Sequence, residues 1–152
     1  MTPRSSLDPV PPADSPRRVI ELDIPNDVRF IERVVERVQH ECQEMAYGHR
    51  QVTLNVPVAL TEALSNAILR GNADDPSKHV HVRASVDTYR LVVEVRDEGQ
   101  GFDLEACTVD VTIETVDRED GRGLFLMRAL MDRVERVSAQ RGNTVRLTLN
   151  RA

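Results

Sequence analysis

The sequence has no tryptophan, only two tyrosines and three phenylalanines, so aromatic residues make up 3% of the 152 positions. Any core must therefore be built from Val, Leu, Ile and Ala, drawn from a hydrophobic fraction of 40%. Cysteine is nearly absent. Cys42 and Cys107 lie far apart without C-x-x-C spacing, which excludes a disulfide framework or thiolate zinc site and leaves two reduced thiols. The four histidines show no spacing that converges on zinc. Positive charge is in deficit: 20 Lys and Arg face 25 Asp and Glu, for a net charge of −5. That balance argues against a nucleic-acid binder, which needs clustered Lys and Arg for the phosphate backbone. No apolar run approaches the ~20 residues of a membrane helix, and the N-terminus lacks the apolar stretch of a signal peptide. These absences predict a cytoplasmic protein, off the membrane, whose scaffold holds no structural metal. Its length suits one domain.

Residues 1–18, "MTPRSSLDPVPPADSPRR", carry five of the eight prolines and almost no large apolar side chains. Such a segment cannot bury enough surface to offset its ordering entropy, and it reads as a disordered tail ahead of a domain over 19–152. "VIELDI" (19–24) alternates as a strand ending at Pro25. Asn26 or Asp27 caps a helix running to about Tyr47, with Phe30, Ile31, Val34, Val35, Val38, Cys42 and Met45 on one face. A second helix is predicted from about Val56 to Arg70, with Pro57 in its first turn and Gly71 past its end. "HVHVRASVD" and "YRLVVEVRDE" form a hairpin. An irregular acidic stretch follows over 102–120, then a third helix from about Gly123, then a closing hairpin of "VERVSAQ" and "NTVRLTLNR". The order β-α-α-β-β-loop-α-β-β predicts an α+β fold, a two-layer sandwich of a mostly antiparallel mixed sheet with helices on one face.

Three stretches invite a chemical reading. In "LTEALSNAILRGN", Glu62, Asn66 and Arg70 recur every four residues and share one helix face, opposite Leu60, Leu64 and Ile68. A carboxylate beside a carboxamide suits a general base next to a Mg²⁺ ligand. Taken alone, the same spacing occurs on any solvated helix. In "VVEVRDEGQGFD", Asp97 leaves a strand ahead of Gly99 and Gly101, where backbone can approach a flat ligand and a carboxylate can accept from an exocyclic amine. An ordinary Asp/Gly turn has the same letters. In "DGRGLFLMRALMD", Gly121, Arg122 and Gly123 precede an amphipathic helix, whose first N–H groups form a phosphate cradle. This is neither a Walker A loop nor a Rossmann turn.

Taken in order, E-x-x-x-N on a helix, D-x-G-x-G after a strand and G-x-G-L entering a helix resemble the N, G1 and G2 boxes of the GHKL (Bergerat-fold) ATPase superfamily. "EALSNAILRGN", "VRDEGQGFD" and "GRGLFLMRALMD" look most like the small anti-sigma-factor serine/threonine kinases, over about residues 20–150. The resemblance implies ATP and Mg²⁺ as cofactors, with Glu62 as the catalytic base and Asn66 as the Mg²⁺ ligand. It implies Asp97 on the adenine amino group, Gly99 and Gly101 shaping the adenine pocket, and Thr144 beside the base. Gly121, Arg122, Gly123 and Leu124 would supply N–H groups to the phosphates, and Arg70 would extend the polar line of the site. Residues 102–120 would form a lid, with Arg118 directed at the terminal phosphate. The chain departs from many relatives in having Arg70 where they have His, and Asn72 where they have an aromatic residue. The implied partners are a sigma factor and an anti-anti-sigma antagonist phosphorylated on serine, with a homodimer as in relatives. The competing reading is a non-catalytic ATP-binding interaction module. A histidine kinase fragment fits less well, because His40-Glu41 lacks a following proline and leaves no room for a dimerising hairpin before the Glu62 helix.

Overall fold

The computed structural model describes residues 16–99, 119–138 and 142–152. The elements are β1 (Arg17–Pro25), α1 (Ile31–Glu44), α2 (Val56–Asn66), β2 (His79–Asp87), β3 (Arg90–Arg96), α3 (Glu119–Leu130), β4 (Arg133–Ser138) and β5 (Asn143–Asn150). The five strands form one sheet in the order β1-β2-β3-β5-β4. All four pairings are antiparallel, so the sheet is not mixed. The α+β sandwich expected from the order of elements is the observed architecture.

Strand alternation builds the core. Ile20 and Ile24 of β1 pair with Ala84 and Val80 of β2. Val82, Ala84 and Val86 then pair with Val95, Val93 and Leu91 of β3, which pair with Val145, Leu147 and Leu149 of β5. All of these are buried under α1 and α2, whose Val34, Val38, Leu60, Leu64 and Ile68 are also inaccessible. The other face is polar, with Glu21, Asp23, His81, Arg83, Glu94, Arg96 and Thr144 around an open cavity of about 500 Å³. Among the described residues, helices therefore cover one face only. Of the two cysteines, Cys42 is fully buried on α1 and burial pushes its thiol up to about 12, which keeps it protonated and inert. Cys107 lies outside the described residues.

Several boundaries differ from the sequence expectation. β1 starts at Arg17, inside the segment read as tail, because β2 is long enough to pair with it to Asp87 and Arg17 donates to Ser85 Oγ at 2.7 Å. The rest of that tail, residues 1–15, lies outside the described residues. Asp27 caps a short 3₁₀ turn, Val28–Phe30, that leads into α1, while α1 itself starts after Phe30 without a side-chain cap. The Asp27 carboxylate accepts from the Arg29 backbone N–H at 2.9 Å and is held below the usual range by hydrogen bonding to Arg29. α1 ends at Glu44, because Ala46 takes a left-handed φ of 60° and turns Tyr47 into the core. There the Tyr47 hydroxyl donates to the Asp87 carbonyl at 2.8 Å.

α2 is the middle of a longer helical run, flanked by wide π turns over Gln51–Asn55 and Ala67–Gly71. Pro57 has no N–H for the carbonyl one turn back, and its ring presses on that turn, which a wider π turn accommodates. The run Gln51–Gly71 is long and apolar enough to cross a membrane by length and composition, contrary to the expectation that no such segment exists. In this fold it is the central helix, lying between α1 and α3. α3 starts at Glu119, four residues before the expected start, so Gly121 and Gly123 lie inside the helix.

Candidate nucleotide site

Glu62 and Asn66 project from α2 toward α3 and are half-buried. A Cβ built on Gly123 would stand 2.9 Å from Glu62 Oε2 and 3.3 Å from Asn66 Nδ2. The missing side chain at 123 is thus what lets the carboxylate and the carboxamide lie side by side against α3. Asn66 Nδ2 is buried without a hydrogen-bond partner among the described residues. A buried amide donor without an acceptor is costly and uncommon. Beside it opens a cleft of about 270 Å³ lined by Ser65, Asn66, Leu69 and Arg70.

The second half of the site forms where β3 ends and β5 begins, beside the end of the α2 run. Asp97 is 5% exposed. Its Oδ1 accepts from the backbone N–H groups of Gly99 at 3.0 Å and Asn143 at 3.1 Å. Its own N–H donates to the Asn143 carbonyl at 3.0 Å. Burial pushes the Asp97 carboxyl up, opposed by those two N–H donors and by the charges of Arg136 and Lys78. Three close approaches fix its surroundings. A Cβ on Gly71 would collide with the Asp97 carboxylate, one on Gly99 with the Gly71 carbonyl, and one on Gly142 with the Asp97 carbonyl. Gly142 also has φ of +86°, which glycine adopts without strain, and its N–H donates to the Gly99 carbonyl at 2.8 Å.

Residues 24–149 match the histidine kinase-like ATPase domain. The chain belongs to this family. It is 32% identical over 135 residues to the serine-protein kinase RsbW of Bacillus subtilis, covering 85% of this chain and 83% of that one. It is 35% identical over 89 residues to the anti-sigma F factor of Heyndrickxia coagulans, covering 57% of this chain and 60% of that one. The crystal structure of RsbU and RsbW domains from Mycobacterium tuberculosis matches with a TM-score of 0.64 over 89% of this chain, at 18% identity, which speaks to the fold alone. This chain spans 33% of that one.

Against this family background, the residues singled out from sequence fall into distinct groups. Glu62, Asn66 and Arg70 lie along one helix, and Asp97 and Gly99 lie together at the strand ends. Gly101 and Arg118 lie outside the described residues, as does most of the segment read as a lid. The phosphate cradle changes with the helix start. A helix leaves its first four N–H groups unbonded, so those of Gly123 and Leu124 are taken up by the α3 ladder. The open donors belong to the first turn, which includes Gly121 and leads into Arg122. The Leu124 side chain is instead a core anchor, 1% exposed.

Thr144 does not face Asp97. It pairs with Arg96 and Val137, and strand alternation turns it to the open face, where it lines the large cavity. Its neighbour Asn143 occupies the inward position: it is 2% exposed, and both side-chain polar atoms lack partners among the described residues. Period-two counting back from Leu149, Leu147 and Val145 puts 143 inward, so the signal was in the sequence. Gly71 carried no comparable signal, since its role exists only through contact with Asp97.

Gly123→Ala offers a direct test of the Glu62 placement. Ala is a better helix former than Gly by ~1 kcal/mol, and the crowded atom is the movable end of Glu62. The expected result is an equal or higher melting temperature together with a loss of phosphotransfer of roughly 10- to 100-fold, because small displacements of reacting groups are costly. Unchanged turnover in a stopped-time transfer assay would detach Gly123 from the site.

Proposed function

We propose that this chain is a Mg-ATP-dependent serine-protein kinase of the anti-sigma type, acting in the cytoplasm. It binds a sigma factor and phosphorylates a serine of an anti-anti-sigma antagonist. The observation that carries this reading is the Glu62 carboxylate held beside Asn66 over Gly123, since a protein that only bound nucleotide would have no use for a base there. The names of the serine-protein kinase and anti-sigma relatives support the same reading.

In this reading Asp97 accepts a hydrogen bond from the adenine amino group, its carboxylate held in place by the close-packed backbone at Gly71, Gly99 and Gly142. The first turn of α3 presents N–H groups and the positive end of its dipole to the phosphates. Asn66 would hold Mg²⁺ through its amide oxygen; a neutral oxygen on a side chain that lines this cleft and lies beside the Glu62 carboxylate suits a hard cation. The ion supplies charge neutralisation on the phosphates when bound. Glu62 accepts the proton of the acceptor serine as its Oγ bonds to the γ-phosphorus and the bond from phosphorus to the leaving ADP oxygen breaks. Phosphoryl transfer depends mostly on such positioning.

The test is incubation of the purified chain with Mg²⁺, γ-labelled ATP and an anti-anti-sigma domain carrying its acceptor serine. Labelled phosphoserine is the expected product. Tight nucleotide binding without phosphoserine would reduce the protein to an ATP-dependent interaction module.

A further inference from the structure

Asn72 lies just past the α2 run and has no exposed surface. None of its side-chain hydrogen bonds serves its own helix. Nδ2 donates to Asn26 Oδ1 at 2.9 Å and to the His79 carbonyl at 2.8 Å, while Oδ1 accepts from the Glu98 backbone N–H at 2.7 Å. Asn26 is pinned in turn, with Nδ2 donating to the carbonyls of Ile68 at 3.2 Å and Asp75 at 3.0 Å. Two buried amides with these bonds have one orientation each, so the Glu98 N–H is tied to a rigid point.

The same residue is held from the opposite direction. Glu98 Oε1 accepts from the His79 backbone N–H at 2.8 Å, and Oε2 meets His81 Nε2 at 2.8 Å. Asp23 backs both imidazoles, at 2.7 Å from His79 Nδ1 and 3.5 Å from His81 Nδ1. The peptide joining Asp97 to Glu98 is therefore gripped between the end of the α2 run and β2. Asp97 needs such a grip. Its carboxylate sits against Gly71 with almost no slack, so a small shift of the Glu98 N–H moves the carboxylate itself.

We propose that Asn72 is a positioning residue for base recognition, which together with the Glu98 carboxylate clamps the Asp97–Gly99 segment so that Asp97 meets the purine 6-amino group. This rests on the reading that Asp97 binds adenine. A generally weakened fold would lower affinity for every purine nucleotide, whereas a misaimed Asp97 loses only the part of binding that depends on the amine.

The experiment compares calorimetric affinities of the full chain for ATP and for purine riboside triphosphate, which lacks the 6-amino group. Wild type is expected to prefer ATP by ~10-fold or more, as for a hydrogen bond to a charged group. In Asn72→Ala that preference is expected to shrink to within ~3-fold of unity, with much of the affinity for the analogue retained. Glu98→Ala removes the other arm from a side chain that is 41% exposed, so it keeps the fold readable, and it is expected to narrow the preference partway. If wild type does not distinguish the two nucleotides, the adenine reading of Asp97 falls and the clamp with it. If wild type distinguishes them and Asn72→Ala keeps the full ratio, the clamp alone is overturned. Should Asn72→Ala not fold, an undiminished ratio in Glu98→Ala overturns it equally.

Discussion

Asp97→Asn is expected to weaken ATP binding by roughly 10- to 100-fold, the span of a hydrogen bond to a charged group, while the nucleotide-free protein melts at the same or a higher temperature. The two halves share one cause. Burial is the largest influence on the Asp97 carboxyl and drives it above its ordinary value, against the Gly99 and Asn143 N–H groups that pull it down. A carboxyl raised in the folded state contributes stability that is fully present below its unfolded value of 3.8 and is lost as pH rises through the folded value. Folding thus disfavours the ionised carboxylate relative to the unfolded chain. Asparagine keeps an oxygen for both backbone donors and removes the charge, so the fold should gain where the ligand loses. Calorimetric ATP titration and thermal melting without nucleotide check the two halves separately. Unchanged affinity would count against the adenine assignment, and a lower melting temperature would count against the electrostatic account.

Glu62→Ala is expected to reduce phosphoserine formation by about 10²- to 10⁴-fold, the range of a lost general base, with ATP affinity within ~3-fold of wild type. Glu62→Gln separates proton transfer from packing. It preserves the size of the group that rests over Gly123 and the neighbourhood of Asn66, yet it cannot accept the serine proton. Both variants should therefore lose transfer alike. A Glu62→Gln protein that turns over at the wild-type rate would take Glu62 out of the base role, and one that fails to bind ATP would move it among the ligand contacts.

How much of this was legible depends on whether the signal was local. The α1 stripe, the β2–β3 hairpin and the shared face of Glu62 and Asn66 come from fixed periods, and the structure reproduces them. The starts of elements were harder. Gly121 and Gly123 look like breakers, yet α3 passes through both, because Gly123 is where Glu62 needs room. Pro57 does lie in the first turn of α2, as its missing N–H predicts, while the helical run extends upstream of it through a π turn. Family analogy points to Thr144, whereas strand parity selects Asn143 as the inward neighbour. The Asn26–Asn72–Glu98 network could not be read at all, since it joins residues brought together only by the sheet and the end of the central helical run.

The strand order carries a consequence for biogenesis. β5 is inserted between β3 and β4, and its first residue completes the bonding of a carboxylate translated 46 positions earlier. A ribosome-bound chain that has not yet released β5 thus has every box letter for nucleotide and no finished place to put one. Because a ligand stabilises only the form that binds it, nucleotide can stabilise this site only once β5 is in place.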